Sequence, residues 1–121
     1  MQPKKINLDQ KFSLFSDHWN PKIIAEINDN YVKLVKFRGE FVWHQHKDED
    51  ELFIVIKGNL TIKFRDHDLF ASEGEMILVP KGVEHCPTAN EEVLVMLIEP
   101  KTVVNTGEIK DEKTIKELEV I

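Results

Sequence analysis

Three histidines and one carboxylate are the residues of this sequence whose types and spacing could do chemistry. His44 and His46 stand in Trp43-His44-Gln45-His46, Glu51 follows after the four residues 47–50, and His85 closes Pro80-Lys81-Gly82-Val83-Glu84-His85. Imidazole nitrogens with a carboxylate form the donor set of a mononuclear divalent metal site. Three neutral imidazoles and one carboxylate leave a bound divalent ion with a net charge of about +1, which favours an anionic or oxygen-rich ligand. Such an ion polarises a bound oxygen, acidifies a bound water or, if it is iron or manganese, binds dioxygen. One divalent ion is expected, with Zn, Fe, Mn and Ni all open.

These donors need elements that aim them at one point. On a β-strand alternate side chains share a face, so His44 and His46 on a strand over Phe41–His46 would point the same way. The polar stretch Lys47–Asp50 reads as a loop that turns the chain, placing Glu51 at the start of the next strand. Asp50 competes with Glu51 as the carboxylate, but Asp48, Glu49 and Asp50 are most simply a solvated acidic loop. His85 must arrive from a later strand, after the Pro-Lys-Gly turn. One or two metal positions would then stay open to water or substrate, as catalytic sites require.

The rest of the chain supplies such elements. Short β-rich runs occupy Ile23–Ile27, Tyr31–Phe37, Phe41–His46, Leu52–Lys57, Leu60–Arg65, Asp68–Ala71, Met76–Val79 and Val93–Ile98. Turn signals such as Asp29-Asn30, Gly58-Asn59 and Glu73-Gly74 separate them. The pattern predicts an all-β sandwich or barrel. Leu60, Ile62 and Phe64 alternate with Thr61, Lys63 and Arg65, so that strand has one buried face. Val93–Ile98 is apolar on both faces and needs cover from a second sheet, a helix or a partner subunit. Ile6, Leu8, Phe12 and Phe15 predict a short amphipathic helix over 7–17, capped by Asn7 or Asp9. The expected organisation is an N-terminal helical segment over 1–22, a barrel over 23–104 and a solvated charged tail or hairpin over 105–121.

Composition narrows the function classes. The 121 residues are enough for one domain with a core, and 41% of them are hydrophobic. Lys and Arg number 16 against 22 Asp and Glu, a net charge of −6. That balance argues against nucleic acid or an anionic membrane as main partner. No apolar run approaches the roughly 20 residues of a membrane span, and no signal peptide is visible at the start. The single cysteine, Cys86, permits no intrachain disulfide, which fits a cytoplasmic location.

The chain resembles the cupin superfamily at two motifs. In the first, Gly39 is followed by four residues (the family usually has five), then His44-Gln45-His46, four residues, Glu51, six residues and Gly58. In the second, Gly74, five residues, Pro80-Lys81-Gly82, two residues and His85 agree, while the closing Asn falls one place late at Asn90. The resemblance implies a double-stranded β-helix, the jelly-roll cupin barrel, with a metal in its mouth held by His44, His46, Glu51 and His85. It also implies a small-molecule ligand and a homodimer. Small cupins of this kind are often labelled mannose-6-phosphate isomerase-like, a label that rests on fold and establishes no substrate.

Other residues carry quieter expectations. His18 and His67 are expected at the surface, Cys86 as a buried free thiol, and Trp43 and Gln45 as residues pointing away from the site. Phe53 and Val55, with Met96 or Val95, are candidate pocket walls. Two functions follow. One is a metal-dependent enzyme acting on a small sugar-like or keto/hydroxy-acid substrate by isomerase, lyase or dioxygenase chemistry. The other is a non-catalytic module that binds a small ligand or the metal itself.

Overall fold

The computed structural model describes residues 2–121. Its elements are a helix α1 (Leu8–Phe12) and eight strands: β1 (Lys22–Ile27), β2 (Asn30–Glu40), β3 (Glu51–Lys57), β4 (Asn59–Lys63), β5 (Asp68–Ser72), β6 (Met76–Val79), β7 (Cys86–Pro100) and β8 (Glu119–Val120). The long strand β7 organises the barrel. It pairs antiparallel with β2 along its length; on its other edge Cys86–Thr88 pair with β4, and Leu94–Ile98 pair with β3. β6 adds to β3, β5 to β4 and β1 to β2, while β8 pairs parallel with β1.

Alternation along these strands fills the interior. Val35 and Phe37 of β2, Phe53 and Val55 of β3, Leu60 and Ile62 of β4, and Val93, Val95 and Leu97 of β7 form one buried cluster. Each such side chain contributes roughly 1.5–3 kcal/mol when fully buried. The opposite face of β7 is covered by a second cluster. There Phe12, Ile24 and Leu34 are buried, and Leu8, Phe15, Leu94 and Met96 pack against them. The N-terminal segment therefore covers the outer side of Leu94 and Met96, and Ile98 is half-buried beside its register partner Leu52.

Three sequence expectations need adjustment. The helix is shorter than 7–17, ending at Phe12; Asn7 caps it by accepting a hydrogen bond from the Gln10 N–H at 3.0 Å. Phe41–His46 is not a strand. Only His44 makes a β-bridge there, with His85, because β2 runs on to Glu40 and the chain then leaves the ladder. The strand expected over Val93–Ile98 begins at Cys86, since Cys86–Thr88 pair with β4 and Thr88 and Ala89 pair with the end of β2 before a bulge. The charged segment 105–121 is largely exposed, yet it is fastened at points. Thr106 is buried and its hydroxyl donates to the Ile109 carbonyl, and Ile121 N–H bonds the Ile23 carbonyl.

Candidate metal centre

The turn at Pro80-Lys81-Gly82 and the loop before β3 are tied together by their backbones. His44 and His85 exchange N–H to carbonyl hydrogen bonds of 3.0 and 2.9 Å, and Gly82 N–H donates to the His46 carbonyl at 2.8 Å. Gly82 has φ +79°, a left-handed conformation that glycine adopts without a Cβ penalty. Asp50 is exposed and accepts the Lys81 N–H at 2.8 Å, so it fastens the turn and faces away from the donors. A close approach holds the loop from outside. Gly107, at φ +61°, lies against Gln45, and a Cβ there would stand 2.0 Å from the Gln45 carbonyl oxygen.

This scaffold brings His44, His46, Glu51 and His85 together, with one donor atom from each lying within 4.8 Å of the others. All four are buried, at 2%, 3%, 5% and 0% exposure. His44 Nδ1 bonds the Val42 carbonyl and His85 Nδ1 bonds the Val83 carbonyl, each at 2.9 Å. A carbonyl can only accept, so both rings carry the proton on Nδ1 and turn the Nε2 lone pair toward the group. Such fixing of ring orientation is typical of histidines that ligate metals. Glu51 Oε1 lies 3.2 Å from His46 Nε2 and 3.3 Å from His85 Nε2.

The electrostatics follow from burial. Burial first, then the proximity of His85, lowers the His44 pKa to about 4, so the ring stays neutral and able to ligate. Burial opposes ionisation of Glu51, but the close approach of the His46 and His85 imidazoles outweighs it and holds its carboxyl well below the usual range. Both ring nitrogens of His46 lack a hydrogen-bond partner. An orphaned buried imidazole beside an ionised carboxylate fits a cation at this point, and the group could hold a metal ion.

Other sequence candidates fall elsewhere. His18 contacts Glu92 at 2.7 Å, and His67 stacks on Phe64 beside Asp66. Cys86 is buried, its thiol pushed up to about 11 by desolvation, which leaves little nucleophilic thiolate. Trp43 packs under the Arg65 guanidinium at 3.9 Å, and Gln45 is exposed. Of the expected pocket walls, Phe53 lines a cavity beside the donors; Val55 and Val95 lie in the core, and Met96 is on the other face of the sheet.

Two wall residues were missed by sequence reasoning. Trp19 occupies a left-handed conformation, φ +61°, and stacks on Phe37 and Phe41 at centroid distances of 4.4 and 4.7 Å. Glu99 lies on β7 one step beyond the Leu52↔Ile98 pair, so it faces Glu51 across the two strands. Its Oε1 accepts from Lys33 Nζ at 2.6 Å, and both residues are 2% exposed. Burial, then the negative charge of Glu51, raises the Glu99 pKa well above the ordinary carboxyl value against the pull of Lys33. The signal for this pair was present. Glu99 and Lys33 share the inward phase of Leu97 on β7 and Val35 on β2.

Residues 31–100 match the cupin domain family. The chain belongs to the cupins. A solved cupin-2 domain protein from Shewanella frigidimarina NCIMB 400 is 57% identical, with a TM-score of 0.79 over 79% of this chain and 94% of the other. Protein NMB1881 from Neisseria meningitidis is 32% identical, with a TM-score of 0.74 over 81% of this chain and all of the other (100%). The uncharacterized protein YdbB of Bacillus subtilis (strain 168) is 46% identical over 63 residues, 51% of this chain and 56% of that relative's length. This cupin has, among its described residues, no helix long and apolar enough to cross a membrane.

Proposed function

We propose that this cupin binds one divalent metal ion through His44, His46, Glu51 and His85 and acts as a metal-dependent enzyme on a small oxygenated molecule. The observation that carries the reading is the convergence of four buried donors within 4.8 Å. The fixed Nδ1–H tautomers of His44 and His85 support it. A bound ion would supply Lewis-acid polarisation of a ligand oxygen, or redox chemistry if it is iron or manganese. The chain's own residues do the rest. Glu51 neutralises half of a divalent charge, Trp19, Phe41 and Phe53 exclude water from the ligand side, and Glu99 stands beside the reacting space.

Isomerase, lyase and dioxygenase chemistry all fit a single ion with one or two open positions. A non-catalytic binding module is the second reading, favoured by the small size of the cavity, about 30 Å³. Chelator-treated and reloaded protein, assayed with sugar phosphates, keto-acids and catechols, separates the two. Metal-dependent turnover of any of them supports the enzyme, and its absence across all three classes leaves the binding module.

The domain reading stands with this: a helical cover over 1–22, the barrel over 23–104 and a charged tail over 105–121, in a cytoplasmic protein. A homodimer is part of the proposal as well. Met76 and Leu78 of the edge strand β6 are 64% and 60% exposed, next to half-buried Leu52 and Ile54. Sedimentation at twice the 14.1 kDa chain mass is the expected result.

A further inference from the structure

We propose that residues 105–115 are a lid over the donor group, closed in this structure, that swings open as one body to let small molecules reach His44, His46, Glu51 and His85. The inference goes beyond the metal reading, because it concerns access and holds whichever ion or ligand enters. All four donors are buried, and the cavity beside them measures only about 30 Å³, room for little more than a water. Nothing larger enters unless part of the wall moves.

Most of that wall cannot move without breaking the barrel. Phe37, Phe53 and Leu97 lie on β2, β3 and β7, inside the sheet. Three pieces of irregular chain complete the wall. Trp19 and Pro21 belong to a segment sewn to β2. The Trp19 backbone N–H donates to the Lys36 carbonyl and its indole N–H to the Arg38 carbonyl, each at 2.9 Å, and the Lys36 ammonium donates to the Phe15 carbonyl at 2.6 Å. Phe41 and His44 are held by backbone hydrogen bonds to Pro87 and His85. The third piece is Asn105.

Asn105 opens a loop that is bonded only to itself. Its side chain accepts the Ile115 N–H at 2.9 Å and donates to the Lys113 carbonyl at 2.8 Å. The Thr106 hydroxyl meets the Ile109 carbonyl at 2.7 Å and the Thr114 hydroxyl at 2.6 Å, and the Thr114 hydroxyl accepts the Asp111 N–H at 3.0 Å. Among the described residues, the sole hydrogen bond leaving 105–115 runs from the Gly107 N–H to the Val104 carbonyl next door, and no ion pair joins the loop to the barrel. A unit with many internal bonds and none to its support moves as a body about hinges. Packing alone holds it down. Thr106 is buried and Gly107 lies on the Gln45 backbone, but Ile109 is 44% exposed and Ile115 only half-buried. Few buried apolar contacts mean a small cost of opening. Open space borders the loop at two places. A pocket of about 430 Å³ is lined by Asn105, Ile115 and Leu118 with Tyr31, and one of about 200 Å³ by Gly107 and Glu108 with His46 and Asp48. The two ends are anchored close together. The Val103 N–H bonds the Pro100 carbonyl, the chain beyond Leu118 pairs with β1 through β8, and Val103 and Leu118 line the same pocket. Residues 101–104 and 116–118 are therefore the hinges.

The test reads access without any metal. Diethyl pyrocarbonate acylates neutral imidazoles, and mass spectrometry of the metal-free full chain gives the rate at each histidine, with exposed His67 as internal standard. Asp48→Cys with Glu108→Cys places two thiols on the walls of the smaller pocket, one on the lid and one on the loop before β3. A short bifunctional methanethiosulfonate then staples the lid shut, and a phosphine reductant reopens it. Cys86 is buried and stays out of the reaction. The expected result is labelling of His44, His46 and His85 slower than that of His67, slowed roughly tenfold more by the staple and restored by the reductant, with His67 unchanged throughout. Donors labelled as fast as His67, donors that never react, or equal rates with and without the staple would each overturn the lid. Gly107→Ala needs no staple. It forces a methyl group against the Gln45 carbonyl and should speed labelling of the three histidines, and no acceleration would overturn the lid even if the cysteine pair does not fold. Transfer of bound Mn2+ to a chelator should slow in parallel in the stapled protein. A protein that takes up no Mn2+ or Zn2+ would contradict the metal reading, and the labelling rates would then decide the lid by themselves.

Discussion

Truncating Glu99 to Ala should cost this fold about 3–5 kcal/mol, the usual penalty for leaving one member of a buried ion pair alone. Lys33 is 2% exposed and its ammonium bonds Glu99 Oε1 at 2.6 Å. Without Glu99 the ammonium keeps its charge at a buried position, with the Tyr31 ring 5.8 Å away. Replacing both partners by apolar residues, Lys33→Met with Glu99→Leu, removes the charge and fills the space. That double variant should match the wild type or exceed it by about 1–4 kcal/mol. Lys33→Met alone should be milder, because burial and Glu51 already push the Glu99 pKa up, and the stranded carboxyl can take a proton. The sign follows from that raised pKa. Folded Glu99 holds its proton to higher pH than the unfolded chain does, so this shift favours folding in acid and fades as the pH rises through the raised folded value. Urea unfolding with a slope of about 1–3 kcal/mol/M resolves these differences, and the thermal midpoint of Glu99→Ala should fall by about 10–20 °C. A Glu99→Ala loss below about 1 kcal/mol, or a double variant no better than Glu99→Ala, would refute the reasoning.

Three other outcomes are expected. Metal-free protein should lose up to about 3 kcal/mol as the pH falls from 6.5 to 4, because the unfolded chain protonates His44 at its ordinary value while the folded ring resists until about 4; urea midpoints at both pH values, compared with His44→Asn, check this. Gly107→Ala should cost about 1–3 kcal/mol, since a Cβ would meet the Gln45 carbonyl and the left-handed φ disfavours alanine; metal titration should also show weaker binding as the His44–His46 loop shifts. His46→Ala should abolish tight metal binding and leave the barrel folded, as the core is built from Val35, Phe53, Val95 and their neighbours; circular dichroism of the variant checks the fold, and a collapsed spectrum would make the ion structural.

The donor group was legible because its signals are local. Two histidines one residue apart, a carboxylate at the next strand and a histidine after a Pro-x-Gly turn name the residues without any three-dimensional information. The strands expected over 23–27, 31–37, 52–57, 60–65 and 76–79 were legible for the same reason, through alternation and turn chemistry, though the fourth ends at Lys63 rather than Arg65. The stretch 41–46 was not, because its apolar residues pack beside the mouth of the barrel while its backbone bonds Pro87 and His85 outside any regular ladder. Asp50 and Glu51 are separated by strand phase, which sequence spacing alone left open: one bonds Lys81 in solvent and the other faces the histidines. Trp19 joins the cavity through long-range stacking from a segment with no strand or helix signal. Lys33 and Glu99, 66 residues apart, become partners through strand pairing. Their inward phase beside Val35 and Leu97 was readable from the sequence, but their pairing was not, because it depends on which strands become neighbours.

The central claim is that His44, His46, Glu51 and His85 bind one divalent metal, and elemental mass spectrometry of protein purified without a polyhistidine tag tests it most directly. The account predicts about one equivalent of a divalent transition metal per chain, lost in a folded His44→Ala/His46→Ala variant. Equal metal in both proteins, or none in the wild type even after reloading with Zn2+ and Mn2+, would contradict it.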